Sequence, residues 1–575
     1  MNHASSRTWP GACTAGILVL AYMLLWWNRF TGLSDAVFLM HGQQVLAGHL
    51  PYRDYYLPIP PLAVLKTALV TKLFGSEILA PRLVGVIERT GLTVALFWWL
   101  ASLFQKQIAL LATVVSMIVF CGDYADPLAS YHHDSVYLAV SAGLCAGWLA
   151  RTSGAKKALA ALLCGLFCGL ALLTTQTTGV GITLTLFVLI LLCSAGRPAL
   201  PATAALFAAG WMLPVAAVGR WLFENGALSS AVQILFGKGT SSKGPLWSVL
   251  SRPLVFPIVE GVYREPCVAA TLLLVAAWML VRRWRYAKPL ALICAVGAGY
   301  EMSRHFFADI EPLATYLGLF GSAGISAYYF LAWLRGPLDE TQKQNWILGG
   351  TSFAISYMLS LSWAAYQPLA IPSLAFVICF TWSRVGPLVR RGIMIGATGL
   401  AAVAFLLKVS QPYGWVSWME PPIWTATHIS RLPELRGMRL SPIAISTAEQ
   451  ATEAIQSACA ADGRFFAYPY LPLLYVLSHR PPATFSYLPW FDVTPDYVAE
   501  SDAKQLIADP PCAIAYLELS KETIETNERL FRNKADSGQR RLVSAITSLI
   551  GTYKIRFDRN LPGGTRLTIY ARGSQ

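Results

Sequence analysis

Charge is what this chain has least of. Only 13% of its 575 residues are Asp, Glu, Lys or Arg, against 55% hydrophobic, and its mean hydropathy is +0.49. That balance excludes a soluble globular domain and predicts a polytopic membrane protein. Acids are scarcer still than bases, 31 against 45, leaving a net charge of +14. No nucleic-acid partner follows, because the basic residues collect in short loops between apolar runs, as membrane orientation requires. The eleven cysteines lack any metal-ligand spacing. Most lie in or near apolar runs and read as small hydrophobes. No small-residue cleavage pattern follows the apolar run 11–27, so that run reads as an uncleaved first span. No inverted repeat is visible.

A span takes roughly 20 apolar residues, or fewer when short or partly buried. After run 11–27, the candidates are 79–104, 108–121, 135–150, 158–173, 179–193 and 199–222, then 267–281, 289–300, 313–334, 346–361, 370–382 and 393–407. That makes about thirteen transmembrane helices. Run 61–74 carries Lys66 and Lys72 and reads as an interfacial or re-entrant helix. Placing the N-terminus inside gathers Arg151, Lys156, Lys157, the run 282–285, Arg390 and Arg391 on the inner side. Loop 32–62 then lies outside with Asp123, Asp126 and Asp134, and an odd span count puts the C-terminal region outside too.

From residue 411 the composition changes, and Pro412, Pro421 and Pro422 mark a linker. Ser446 and Glu449 predict a capping box before a helix over 447–459. Runs 464–468 and 512–519 read as strands, and 554–557 and 565–570 as a hairpin around the turn 560–564. The chain thus divides into a transmembrane domain, residues 1–410, and a C-terminal extracytoplasmic α/β domain, residues 411–575. Cys459 and Cys512 both fall in the outer domain, where a disulfide can form.

The most informative stretch is the first outer loop, 32–62. It is too polar for hydrocarbon, yet rich in aromatics and prolines. Asp35 follows the first span directly, at the membrane surface. Asp54 sits among Tyr52, Arg53, Tyr55 and Tyr56. A carboxylate held there suits chemistry on a substrate with a lipid tail and a polar head. The plainer alternative is an ordinary loop with an interfacial aromatic belt.

Asp35, Gly48, the run Pro51, Tyr52, Arg53, Asp54, and then Pro60, Pro61, Leu62 resemble the first external loop of GT-C membrane glycosyltransferases. More narrowly they resemble the bacterial branch grouped with protein O-mannosyltransferases, glycosyltransferase family 39. The multi-span layout carries the likeness to about Ser410. The resemblance implies sugar transfer from a polyprenyl phosphate on the outer face of the membrane, with the catalytic carboxylate at Asp35. Many relatives have a second acid directly after it; here that position is Ala36, which argues against metal binding by this loop.

Glycosyl transfer needs a base for the acceptor proton and groups to hold the departing phosphate. Asp35 is the base candidate; its structural alternative is a cap on a loop helix 36–47. Asp54, Tyr52 and Arg53 are expected to bind substrate or shape the loop. In the second outer loop, Asp123, Asp126, His133 and Asp134 can orient the acceptor or bind a divalent cation, Mg or Mn, with the ligand set left open. The alternative is a polar loop in which Asp134 caps the next helix. In the third cluster, 301–312, Arg304 can grip phosphate bidentately and His305 can add a bond. Its alternative is a snorkelling interfacial arginine. Residues 174–178 lack the lysine that relatives often have nearby, which shifts phosphate binding toward Arg304, or toward Lys238 and Lys243 in the Gly- and Ser-containing loop 223–265, read as a mobile flap.

The sequence therefore predicts a polytopic α-helical membrane protein of GT-C type in the bacterial inner (cytoplasmic) membrane. Its partners would be a polyprenyl-phosphate-linked sugar, an extracytoplasmic glycan, lipid or protein acceptor, and membrane lipids. The rival readings are a transporter or flippase of lipid-linked saccharides, or a scaffold on the same shell. A transporter should place charges within its spans. Here the acids cluster in outer loops, and Glu88 and Arg89 are the main exceptions.

Overall fold

The computed structural model describes residues 9–33, 36–121, 130–194, 200–237, 242–259, 263–282, 286–303, 310–363, 369–415, 418–532 and 535–573. Every apolar run expected as a span is a helix. Among the described residues, seven helices are long and apolar enough to cross a membrane, from Leu79–Ala101 to Pro387–Ser410. Trp9–Leu24, Lys106–Phe120 and Ile371–Arg384 are shorter apolar helices. This is a polytopic α-helical membrane protein. Lipid supplies no hydrophobic drive between helices, so close backbone approach has to hold them together. Helices Gly154–Thr174 and Leu200–Glu224 show how. A Cβ on Gly165 would strike the Phe207 carbonyl, and one on Gly210 the Leu162 carbonyl.

Past Ser410 come two short ribbons, β1 (Gly414–Trp415) with β2 (Trp418–Met419), and β3 (His428–Ile429) with β4 (Arg439–Leu440). A four-stranded sheet follows, made of β5 (Phe465–Tyr468), β6 (Ala513–Leu517), β7 (Tyr553–Asn560) and β8 (Arg566–Arg572), in the order β5-β6-β8-β7. The β5/β6 pair is parallel and the others antiparallel. Strand periodicity sends Phe465, Ala467, Ala513 and Ala515 into the main core, and Phe466, Tyr468 and Ile514 into a second core with Leu542 and Ile546. Both faces of β5 and β6 are therefore buried, which explains their near-continuous apolar runs.

Helix Pro442–Ala458 begins earlier than the capping-box reading places it. Ser441 is its N-cap and accepts from the Ala444 N–H, with Pro442 in the first turn. Ser446 lies inside the helix, and Glu449 instead accepts from Ser430 Oγ and the Arg431 N–H. Cys459, at the end of this helix, is disulfide-bonded to Cys512, just ahead of β6, with Cα atoms 5.3 Å apart. Loop 223–265 also differs from the flap expected. It contains helices Leu228–Phe236 and Leu246–Val259. Lys243 in this loop pairs with Asp492 at 2.6 Å, and Arg252 donates to the Leu530 carbonyl. The loop is strapped to the C-terminal sheet region.

The sheet region also packs on the first outer loop. The Tyr56 N–H donates to the Phe485 carbonyl, and the Leu473 N–H to the Leu33 carbonyl. Loop and C-terminal region therefore share one face of the helix bundle.

Candidate functional site

The first outer loop folds around a short helix, Val37–Leu46. Its Gly42 lies against the backbone of Thr67 and Ala68, where a Cβ would come within 3.0 Å of the Ala68 nitrogen. The loop helix is thereby seated on helix Leu62–Phe74. Its first turn also reaches Tyr131, whose ring centroid is 5.4 Å from that of Phe38.

Phe38 and Tyr131 line a pocket with Ala63, Val70, Pro81 and Ser130, and Lys66 and Asp134 provide its charged groups. Lys66 Nζ lies 2.5 Å from Asp134 Oδ2 and 3.0 Å from both oxygens of Glu88. Three helices thus contribute one residue each to a cation held between two carboxylates. A residue adjacent to the acid on each of two helices, Arg89 after Glu88 and His133 before Asp134, continues the polar seam. Arg89, 1% exposed, donates from Nη2 to His133 Nδ1 at 2.9 Å. Guanidinium has no acceptor, so Nδ1 must accept and the proton of a neutral His133 resides on Nε2. A further buried cation, Lys408, bridges two of the loop ends. Lys408 Nζ donates to the Val119 and Cys121 carbonyls and pairs with Glu311 at 3.1 Å. It joins the start of the second outer loop to the end of the third cluster.

The aromatic run of the first loop makes a compact turn. Asp54 Oδ2 accepts from the Leu50 N–H at 2.7 Å, and both carboxylate oxygens accept from Arg53. The Arg53 guanidinium holds the Asp54 carboxyl below the usual range, against a smaller opposing effect of partial burial. Arg53 Nη1 also donates to the Asn225 carbonyl, and Tyr52 Oη to the Ile59 carbonyl. These bonds fit a loop-shaping role for Tyr52, Arg53 and Asp54. His41 of the loop helix is 1% exposed and stacks on Tyr55 and Tyr487, at 5.0 and 5.8 Å. Burial pushes the His41 imidazole down to about 3, so it is neutral at physiological pH.

No known family and no curated protein matches this chain by sequence. Solved structures do. ArnT from Cupriavidus metallidurans, bound to undecaprenyl phosphate, aligns over 100% of both chains at 13% identity and a TM-score of 0.43. The Archaeoglobus fulgidus oligosaccharyltransferase, in complex with Zn and sulfate, aligns over 98% of this chain and 73% of its own at 14% identity and 0.47. The same enzyme tethered to an acceptor peptide aligns over 99% and 74% at 12% and 0.45. These structural neighbours are GT-C glycosyltransferases. Likenesses this distant carry no residue-by-residue correspondence.

Of the residues singled out from sequence, Asp35, Asp123, Asp126, Arg304 and His305 lie outside the described residues, as does Lys238. His133 and Asp134 both enter the polar seam, with Glu88 and Arg89, the two charges that stood out within a span. Asp134 sits in the first turn of helix Tyr131–Arg151, whose N-cap is Ser130. Tyr52, Arg53 and Asp54 form a separate turn. Sequence reasoning missed Lys66 and Lys408 as site residues. The available signal was a lysine inside an apolar helix, which marks function by default. Among the described residues no group of three or more His, Cys, Asp or Glu could hold a metal ion.

Proposed function

We propose that this protein is an integral membrane glycosyltransferase that moves a sugar from a polyprenyl-phosphate carrier to a hydroxyl of an extracytoplasmic glycan, lipid or protein. The observation that carries the reading is the narrow crevice in which Phe38, three residues after Asp35 in the sequence, meets the Lys66–Asp134 pair. It joins the start of the catalytic-loop helix to a buried polar seam between apolar helices. The acceptor hydroxyl attacks the anomeric carbon, the bond from that carbon to the phosphate oxygen breaks, and configuration inverts. The phosphate leaves on its lipid, and Asp35 takes the acceptor proton. Arg304, with His305, holds the phosphate. His133 and Asp134, with Asp123 and Asp126, orient the acceptor. Residues 1–410 form the transferase domain and 411–575 the outer domain, in a bacterial inner membrane with the N-terminus inside.

The test is reconstitution into liposomes with a sugar-labelled polyprenyl phosphate and cell-envelope acceptors. Transfer predicts release of free polyprenyl phosphate together with labelled acceptor. Movement of intact labelled lipid across the bilayer, with no cleavage of the sugar–phosphate bond, would instead identify a flippase.

A further inference from the structure

Besides the Leu473–Leu33 bond, the first loop is held by a second segment of the C-terminal region, residues 484–488. The Phe485 carbonyl accepts from the Tyr56 N–H at 2.8 Å, and the two rings meet edge-on at 6.2 Å. Two residues on, Tyr487 stacks on both Tyr55, at 5.5 Å, and His41, at 5.8 Å. One segment therefore touches the loop turn at 55–56 and the loop helix that follows Asp35.

The segment has no strand partner of its own and is not part of the sheet. A buried polar network shapes it instead. The Asp502 carboxylate is 1% exposed, and its two oxygens accept from the Phe485 and Ser486 N–H groups at 3.1 and 3.2 Å. Thr484 Oγ1 donates to the Ser486 carbonyl, and Thr494 Oγ1 to the Leu488 carbonyl. Thr494 has spent its only hydroxyl proton there, so Ser486 Oγ must donate in the 2.7 Å bond between them. Gln539 Nε2 fixes Thr494 through its carbonyl. A carboxyl is a costly group to bury, and burial pushes this one up to about 8. What the burial provides is acceptors for two buried N–H groups that would otherwise go unpaired.

We propose that Asp502 is a positioning residue: by fixing segment 484–488 it holds the first outer loop, at its turn 55–56 and at His41 of the loop helix, in its working geometry. The catalytic half of this proposal rests on the transferase reading above; the structural half does not.

Hydrogen exchange of the purified full chain separates the two. Asp502→Ala orphans two buried N–H groups, and exchange at residues 52–57 should quicken by about tenfold or more, with spans and β6 unchanged. Asp502→Asn keeps one carbonyl acceptor and should lie between Ala and wild type. Tyr487→Leu leaves the network intact but removes the ring stack, and should loosen the same loop peptides; it serves if Asp502→Ala fails to fold. In the reconstituted transfer assay, Asp502→Ala should lower kcat by about tenfold with Asn recovering part of it. Unchanged protection of residues 52–57 in both Asp502→Ala and Tyr487→Leu overturns the proposal, as does lost protection with unchanged kcat. If wild-type protein shows no transfer at all, the functional reading fails, and the exchange data alone decide the structural link.

Discussion

Lys66 bridges two carboxylates, Glu88 and Asp134, from neighbouring helices. Its side chain and those of Glu88 and Asp134 are between 11 and 29% exposed, so solvent screens the cluster only in part. Replacing Lys66 with Met leaves two acids facing each other and should cost about 2–4 kcal/mol. Lys66→Met should therefore reduce folded protein in membranes, and adding Glu88→Gln should restore much of it. Thermal unfolding of the detergent-purified variants is the check. Equal melting temperatures for wild type and Lys66→Met would show that the triad contributes nothing to the fold. At this scale the sequence offered His133, Asp134, Glu88 and Arg89 individually, but not their meeting. Lys66 pairs with residues 22 and 68 positions away, and a contact across that distance leaves no local pattern. Asp54 was easier to read, because its partners Arg53 and Leu50 are neighbours in the chain.

Elements with a strong period were legible and those without one were not. Apolar runs between basic loops gave the bundle helices, and short near-continuous apolar runs gave β5 and β6. Helices Leu228–Phe236 and Leu246–Val259 were hidden because Pro253 and Pro257 interrupt the second and Gly and Ser separate the two. Helix Pro442–Ala458 was placed late because Ser446 and Glu449 imitate a cap. The true signal, Ser441 before a first-turn proline, is equally local. The disulfide from this helix to the residue before β6 closes a span of 53 residues. Such a crosslink typically contributes about 2–4 kcal/mol. Cys512→Ser, or reduction of the purified protein, should lower the unfolding temperature measured at the C-terminal region while leaving the helix bundle folded. No change on reduction would mean that packing of Pro442–Ala458 against β7 and β8 alone holds the helix.

For the whole molecule, the arrangement depends on which face of the bundle meets the outside. The first loop, loop 223–265 and the C-terminal region bind one another, so they must share a side, and the basic clusters at Arg151 and Lys157 belong to the other. A reporter active only outside the cytoplasm should be active after Gln575 and silent at Lys157. The reverse pattern would turn the molecule over and remove the site from the outer surface. The proposed base, Asp35, comes two positions before helix Val37–Leu46 in the sequence, and that helix is seated on Lys66's own helix. A general base in that place is worth about 100- to 10,000-fold in rate. The most direct measurement is glycan transfer by Asp35→Asn in membranes, with protein abundance quantified alongside and Asp54→Asn as the comparison. Asp35→Asn should insert at normal abundance and lose nearly all transfer, while Asp54→Asn, a change in a loop-shaping turn, should lose much less. Near-normal transfer by Asp35→Asn at normal abundance would contradict the account.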